Sequence, residues 1–242
     1  WRARPAGRAP AFGDVRPAEA RALVERAAGQ GGGWLEPGDA QAVVRAFGIP
    51  VAELAPVLTE DAAVEAAEQI GYPIVLKASG PALVHKSEAG AVKVGVGSAA
   101  ILREGWRDLR DRLGGRMTAG VVQRMVRDGV EMMIGATQDP TFGHVIVCGT
   151  GGTLVELFGD AVVRLHPLTD LDAREMIEGL KGKALLRGYR GAPPVDEAAL
   201  AEALLRVSAL VESCPQIAEM DLNPVKVLPA GLAAVDVRIR VA

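Results

Sequence analysis

The stretch from Tyr72 to Gly97, YPIVLKASGPALVHKSEAGAVKVGVG, fixes the local fold problem before anything else does. It reads as a strand ending in a lysine (PIVLKA), a loop with His85, Lys86 and Ser87, a small-residue turn from Glu88 to Ala91, and a second, alternating strand (VKVGV). A hairpin of this kind brings Lys77 and Lys86 to one small anion, and Gly90, lacking a Cβ, lets backbone approach it closely. Neither GxxxxGK[ST] nor GxGxxG occurs here, so the loop by itself is equally compatible with two solvated lysines.

The flanking sequence gives this hairpin helical neighbours. Pro17 opens a helix, PAEARALVERAA, at the position where a missing N–H costs nothing, and Gly29 and Gly31 to Gly33 end it. Pro37–Phe47 reads as a second helix closed by Gly48, followed by a short strand at Val51–Leu54. Thr59 and Asp61 start a third helix that stops at Gly71, and Ser98 caps a fourth that runs to about Leu113.

From Gly120 to Leu168, runs of Val, Ile and Met are separated by DG, DP and GTGG turns, which predicts four or five antiparallel strands. Helices are expected at Asp172–Leu180 and Asp196–Glu212, and three short strands at the end, IAEMDL, VKVL and LAAVDVRIRV. The class is α+β, with 1–33 as linker and N-terminal helix, 34–121 as a smaller lid subdomain and 122–242 as a larger subdomain.

The last segment carries a second constellation. Asp221 and Asn223 are two apart and point to the same side of a strand, with Pro224 expected to end regular pairing. A short hairpin would bring Asp236 across to them, and because Asp236 lies in the apolar run LAAVDVRI an uncompensated charge there would be costly. Two carboxylates and an amide oxygen form a hard oxygen site suited to Mg²⁺ shared with phosphates.

Composition excludes other classes. A chain of 242 residues, 49% hydrophobic with a net charge of −3, buries a core and has no basic footprint for nucleic acid. No apolar run approaches the roughly 20 residues of a membrane span, so a cytoplasmic protein is expected. Cys148 and Cys214 lack CxxC neighbours and read as core thiols. His144 and His166 read as structural, and Arg164 as a surface arginine. The Pro-, Gly- and Arg-rich start, beginning at Trp1, reads as the tail of a linker, so a piece of a longer polypeptide is expected.

Taken together, YPIVLKA, HKSEAGAVKVGV, QRMV followed by Glu131, GTGG, LLRGYRG, and EMDLNP with AVDVRI resemble the ATP-grasp domain of ADP-forming acyl-CoA synthetases, which include acetate–CoA ligase beta chains and are related to the beta chain of succinyl-CoA synthetase. The resemblance covers roughly Gly33 to Val241 and implies an ATP-grasp fold of two α+β subdomains with ATP or ADP and Mg²⁺ between them.

It implies that Lys77 meets the α and β phosphates and that Val84, His85 and Lys86 cover the triphosphate, with Gly90 giving room. Gln123, Met125 and Val126 would offer backbone groups to adenine, Glu131 would hold the ribose hydroxyls, and Asn223 and Asp236, with Asp221 close by, would bind magnesium. His85 and Lys86 are the candidate catalytic residues, His85 as a phosphoryl relay or as a simple phosphate contact. The turn departs from HKSDVGGV at Glu88 and Ala91, and at φ > 0 an alanine would cost about 1 kcal/mol.

The partners implied are CoA-binding and ligase domains, in the same longer chain or an alpha subunit. Two functions follow: part of an acid–thiol ligase, or a nucleotide-binding regulatory module fused to a protein lysine acetyltransferase. The HKS and LLRGYRG segments disfavour a carboxylate–amine ligase.

Overall fold

The computed structural model describes residues 7–80, 90–151 and 159–242. It is α+β, as expected, and it falls into two compact units, one made of residues 1–51 and 128–242 and the other of residues 52–127.

The smaller unit is a four-stranded antiparallel sheet in the order β2 (Leu54–Val57), β5 (Ala119–Arg124), β3 (Ile74–Ser79), β4 (Val92–Val96). Two helices, α3 (Glu60–Ile70) and α4 (Ala99–Leu113), cover it. Both start where the sequence places a cap: Thr59 Oγ1 accepts from Ala62 N at 3.2 Å and Ser98 Oγ from Ile101 N at 3.4 Å. Apolar residues at helical spacing, Leu102, Trp106, Leu109 and Leu113, bury one face of α4 against Ile74, Leu76 and Val122 of the sheet.

The larger unit is a seven-stranded antiparallel sheet in the order β1 (Gly33–Trp34), β11 (Val237–Val241), β9 (Ile217–Val227), β6 (Val130–Asp139), β7 (Gly143–Thr150), β8 (Ala161–Leu165), with β10 (Leu232–Ala234) on the edge of β9. Its core side packs on α1 (Pro17–Gly29), α2 (Pro37–Ala46), α5 (Asp170–Gly179) and α6 (Glu197–Ser213). Alternation decides which residues face the helices: Met132, Ile134 and Ala136 of β6 and Met220, Leu222, Val225 and Val227 of β9 are buried among them. The intervening side chains, among them Glu131, Asp221, Asn223 and Lys226, face away.

The helices of this unit are also fixed by their caps. Thr169 and Asp172 form a capping box at α5, and Asp196 caps α6 through Ala199 N at 2.9 Å while also accepting from Gly231 N at 2.9 Å. Arg206 of α6 holds the N-terminal segment, bonding Asp14 and the Phe47 carbonyl with its guanidinium over the Phe12 ring.

Several expectations need correction. The division at 33/34 and 121/122 is not the one observed. β1 pairs with β11 (Gly33↔Val241) and α2 packs in the core of the larger unit, so residues 34–51 belong there. β5, expected with the strands that follow it, instead lies between β2 and β3, with Gln123 opposite both Leu54 and Val75. The strand expected at 51–54 is shifted to Leu54–Val57, and Val51 makes only an isolated parallel bridge to Ala234.

Pro224 does not end β9. The strand runs on as a bulge, with two residues, Asn223 and Pro224, set against the single Met133 of β6. Finally, Gly90 takes φ +61 and Ala91 is absent from the left-handed residues, so the methyl of Ala91 is buried in the core of the smaller unit without the anticipated strain.

Candidate functional site

In the smaller unit, Lys77 is half-buried on β3, between Val92 of β4 and Val121 of β5. Gly90 enters β4 beside Arg112, whose guanidinium donates to the Gly90 carbonyl at 2.9 Å. A Cβ at Gly90 would lie 2.9 Å from Arg112 Nη1, so its closest neighbour is this side chain. Gln123 is buried in β5, while Met125 and Val126 follow the strand half-buried, Met125 donating its N–H to the Pro73 carbonyl at 3.4 Å. Val84, His85 and Lys86 lie outside the described residues.

In the larger unit, the chain returning from β9 through β10 to β11 brings the backbones of Asn223 and Asp236 together, as the spacing predicts. Asn223 donates its backbone N–H to the Asp236 carbonyl at 3.2 Å, and Val235 N bonds the Pro224 carbonyl at 2.8 Å. The cost of burial falls on a different carboxylate from the one expected. Asp236 sits exposed in the break between β10 and β11, whereas Asp221 is half-buried and its Oδ1 is buried with no hydrogen-bond partner among the described residues.

Burial raises the pKa of Asp221 above the ordinary carboxylate value; Arg238 works against this and Asp236 and Glu219 add to it. An orphaned carboxylate oxygen beside Asn223 and Asp236 is the donor set a hard divalent cation requires, so these residues fit magnesium. Among the described residues no group of three His, Cys, Asp or Glu is placed to hold a metal; the candidate set combines two carboxylates with an amide.

Glu131 stands at the start of β6 after a turn in which Asp128 and Gly129 both take positive φ, at +58° and +79°. Its carbonyl accepts from Gly151 N at 2.8 Å, and its carboxylate meets Lys226 Nζ at 2.9 Å. Two contacts here escaped the sequence reading. Gly151, which the sequence marks only as part of a turn, packs against β6 backbone, and Lys226 reaches Glu131 only because of the bulge at Pro224, which the sequence does not announce. Without that extra residue, alternation would turn Lys226 toward the helices.

Residues read as structural are so. His144 is buried with Nε2 2.7 Å from the Ile217 carbonyl, and His166 Nδ1 lies 3.1 Å from Ser208 Oγ. Arg164 faces Glu175 at 3.8 Å. Both cysteines are buried thiols, pushed up to about 12 (Cys148) and about 11 (Cys214) by burial. Among the described residues, no helix is long and apolar enough to cross a membrane.

Residues 26–241 match the ATP-grasp domain family. The beta subunit of acetate–CoA ligase (ADP-forming) II from Pyrococcus furiosus is 38% identical over 229 residues, covering 92% of this chain and 97% of that one. Acetate–CoA ligase (ADP-forming) I from Archaeoglobus fulgidus is 41% identical over 215 residues, which are 87% of this chain but only 31% of the relative. The chain thus spans nearly all of a separate beta subunit and about a third of a longer ligase.

Among solved structures, acetyl-coenzyme A synthetase 1 of Candidatus Korarchaeum cryptofilum, in complex with coenzyme A and Ca-AMPCP, superposes with a TM-score of 0.87 at 37% identity, covering 92% of this chain and 100% of that one. The same synthetase with coenzyme A and Mg-AMPPCP, its phosphohistidine segment pointing towards the nucleotide binding site, gives 0.82 at 38% identity, with 92% and 100% covered.

Proposed function

Because the chain belongs to the ATP-grasp family, and within it to the ADP-forming acyl-CoA synthetases, we propose that it is the nucleotide-handling part of a ligase that converts an acid, CoA and ATP to acyl-CoA, ADP and phosphate by way of a phosphohistidine. The observation that carries this reading is the Asp221, Asn223 and Asp236 cluster, with its orphaned carboxylate oxygen and backbone-bonded hairpin. Magnesium would be held by Asp221, Asn223 and Asp236, and would supply positive charge that neutralises phosphate oxygens.

The chain's own residues then divide the work. Lys77 meets phosphate, its backbone held in a strand that has neighbours on both sides. Gln123, Met125 and Val126 line the adenine, and Glu131 accepts from the ribose hydroxyls. Val84 and Lys86 cover the triphosphate. His85 accepts the γ-phosphoryl group and hands it on, the ATP γ-phosphorus exchanging its bond to the ADP oxygen for one to an imidazole nitrogen.

The acid and CoA are bound by other domains or an alpha subunit, since three reactants must meet and the residues assigned above handle the nucleotide and its phosphates. The relatives named above are ligases, in keeping with this function, and none of the observations favours the acetyltransferase-linked alternative.

The test is calorimetric titration of the chain with Mg-ADP, followed by incubation with γ-labelled ATP, acid and CoA, with and without the CoA-binding partner. Lys77→Ala and Asp236→Asn are expected to weaken nucleotide binding, the second only in the presence of magnesium. Acyl-CoA should form only when the partner is present. Equal affinities across the three proteins, or acyl-CoA made by this chain alone, would overturn the proposal.

A further inference from the structure

Glu131 and Lys226 are directly opposed across β6 and β9, and Lys226 Nζ lies 2.9 Å from Glu131 Oε1. The lysine side chain is the more enclosed of the two, 20% exposed against 43% for the glutamate. Everything around Glu131 restrains its backbone. On one side the Gly151 N–H donates to its carbonyl, and Gly151 sits so close that a Cβ there would be 2.9 Å from the Glu131 carbonyl carbon. On the other side Gly129 packs on β9, where a Cβ would come 2.5 Å from the Val227 carbonyl oxygen.

The side chain, by contrast, has three rotatable bonds, and among the described residues one partner holds its carboxylate, Lys226. An exposed ion pair of this kind adds little to folding stability, because solvent screens it and two long side chains are ordered to make it. Its value lies in preorganisation. A carboxylate that must receive two vicinal hydroxyls has to be correctly turned before the ligand arrives, and an ammonium fixed on one oxygen secures that orientation.

We propose that Lys226 is a positioning residue for nucleotide recognition: it holds the Glu131 carboxylate in the orientation that accepts the ribose hydroxyls. The inference rests on the ATP-binding reading above. The bulge at Pro224 serves it directly, since the extra residue turns Lys226 to the same side of the sheet as Glu131 and Asp221.

The test compares Mg-ATP with Mg-2′,3′-dideoxy-ATP by calorimetry on the wild-type chain, Lys226→Met, Lys226→Arg and Glu131→Gln. The wild type is expected to prefer ATP. Lys226→Met should lose about tenfold in affinity for ATP, the scale of one charge-assisted hydrogen bond, while binding the dideoxy nucleotide as before. Lys226→Arg should restore most of the preference, and Lys226→Met combined with Glu131→Gln should be no weaker than Glu131→Gln alone. Thermal unfolding of all variants should coincide with the wild type.

A wild type that binds neither nucleotide refutes the nucleotide-binding function itself. A wild type that binds both equally refutes the ribose role of Glu131 and the role of Lys226 with it. Equal weakening of both nucleotides by Lys226→Met, or no change in either, overturns the positioning role alone.

Discussion

Asp221 and Arg238 stand opposite each other on β9 and β11, yet the Arg238 guanidinium lies over the Trp34 ring, 4.8 Å from its centroid, instead of closing an ion pair with the carboxylate. Aromatic stacking offers the cation an alternative partner, and Asp221 is left with a buried oxygen that no described residue satisfies. A carboxylate placed so is poor for stability and suitable for binding a cation, which is how strain at a site differs from a defect.

Asp221→Asn should therefore raise thermal stability at pH 7.5, because it removes a charge whose burial Arg238 offsets only in part, by about 1 kcal/mol. The same change should abolish any further stabilisation by magnesium with ADP. Differential scanning with and without both ligands reads the two effects together. A variant less stable than wild type would show that the Asp221 charge is compensated.

Much of this site could be read before the fold was seen. The EMDLNP and AVDVRI segments announce a hairpin, and Asn223 does meet Asp236. What could not be read is which carboxylate carries the cost of burial. Asp236 lies between apolar residues in sequence, but a break between two short strands exposes it, and only pairing with β6 and β11 encloses Asp221. The place of β5 was hidden for a similar reason. Its Val-rich pattern suits either sheet, and long-range pairing with β3, not local propensity, assigns it. The helices were legible because Thr59 and Ser98 cap their starts through local bonding and Pro17 fits a first turn where no N–H is needed.

The histidine pair behind β7 and β8 predicts a pH response. His166 has its proton affinity lowered by burial, with Glu212 opposing and His144, its ring edge-on at 6.3 Å, reinforcing the shift; Ser208 Oγ also accepts from Leu168 N. A lowered histidine pKa means that the folded state binds fewer protons than the unfolded chain. Stability is then fully present above about pH 6.5 and declines as pH falls through the folded value. The lowered carboxylates, such as Glu60 and Asp196, lose their contribution only in a more acidic window. Urea unfolding between pH 7.5 and 5 should show stability falling with acidification in the wild type and a flatter profile in His166→Gln. Identical slopes would remove His166 from this linkage.

Gly151 gives the sharpest structural prediction, because the fit there is backbone against backbone. A Cβ at this position would lie 2.9 Å from the Met132 carbonyl oxygen and 3.0 Å from its nitrogen, and neither can turn aside as a flexible side chain would. Gly151→Ala should thus push the turn away from β6, stretch the bond to the Glu131 carbonyl and cost about 1 to 3 kcal/mol, the range for overpacking a tight contact. Since Glu131 is displaced with the strand, nucleotide affinity should fall as well. Gly29→Ala is the matched control, because a Cβ there meets nothing within 4 Å and the residue ends a helix. Thermal unfolding of the two variants side by side decides the matter: equal melting temperatures would show that the turn yields freely and that its contact with β6 does not fix Glu131.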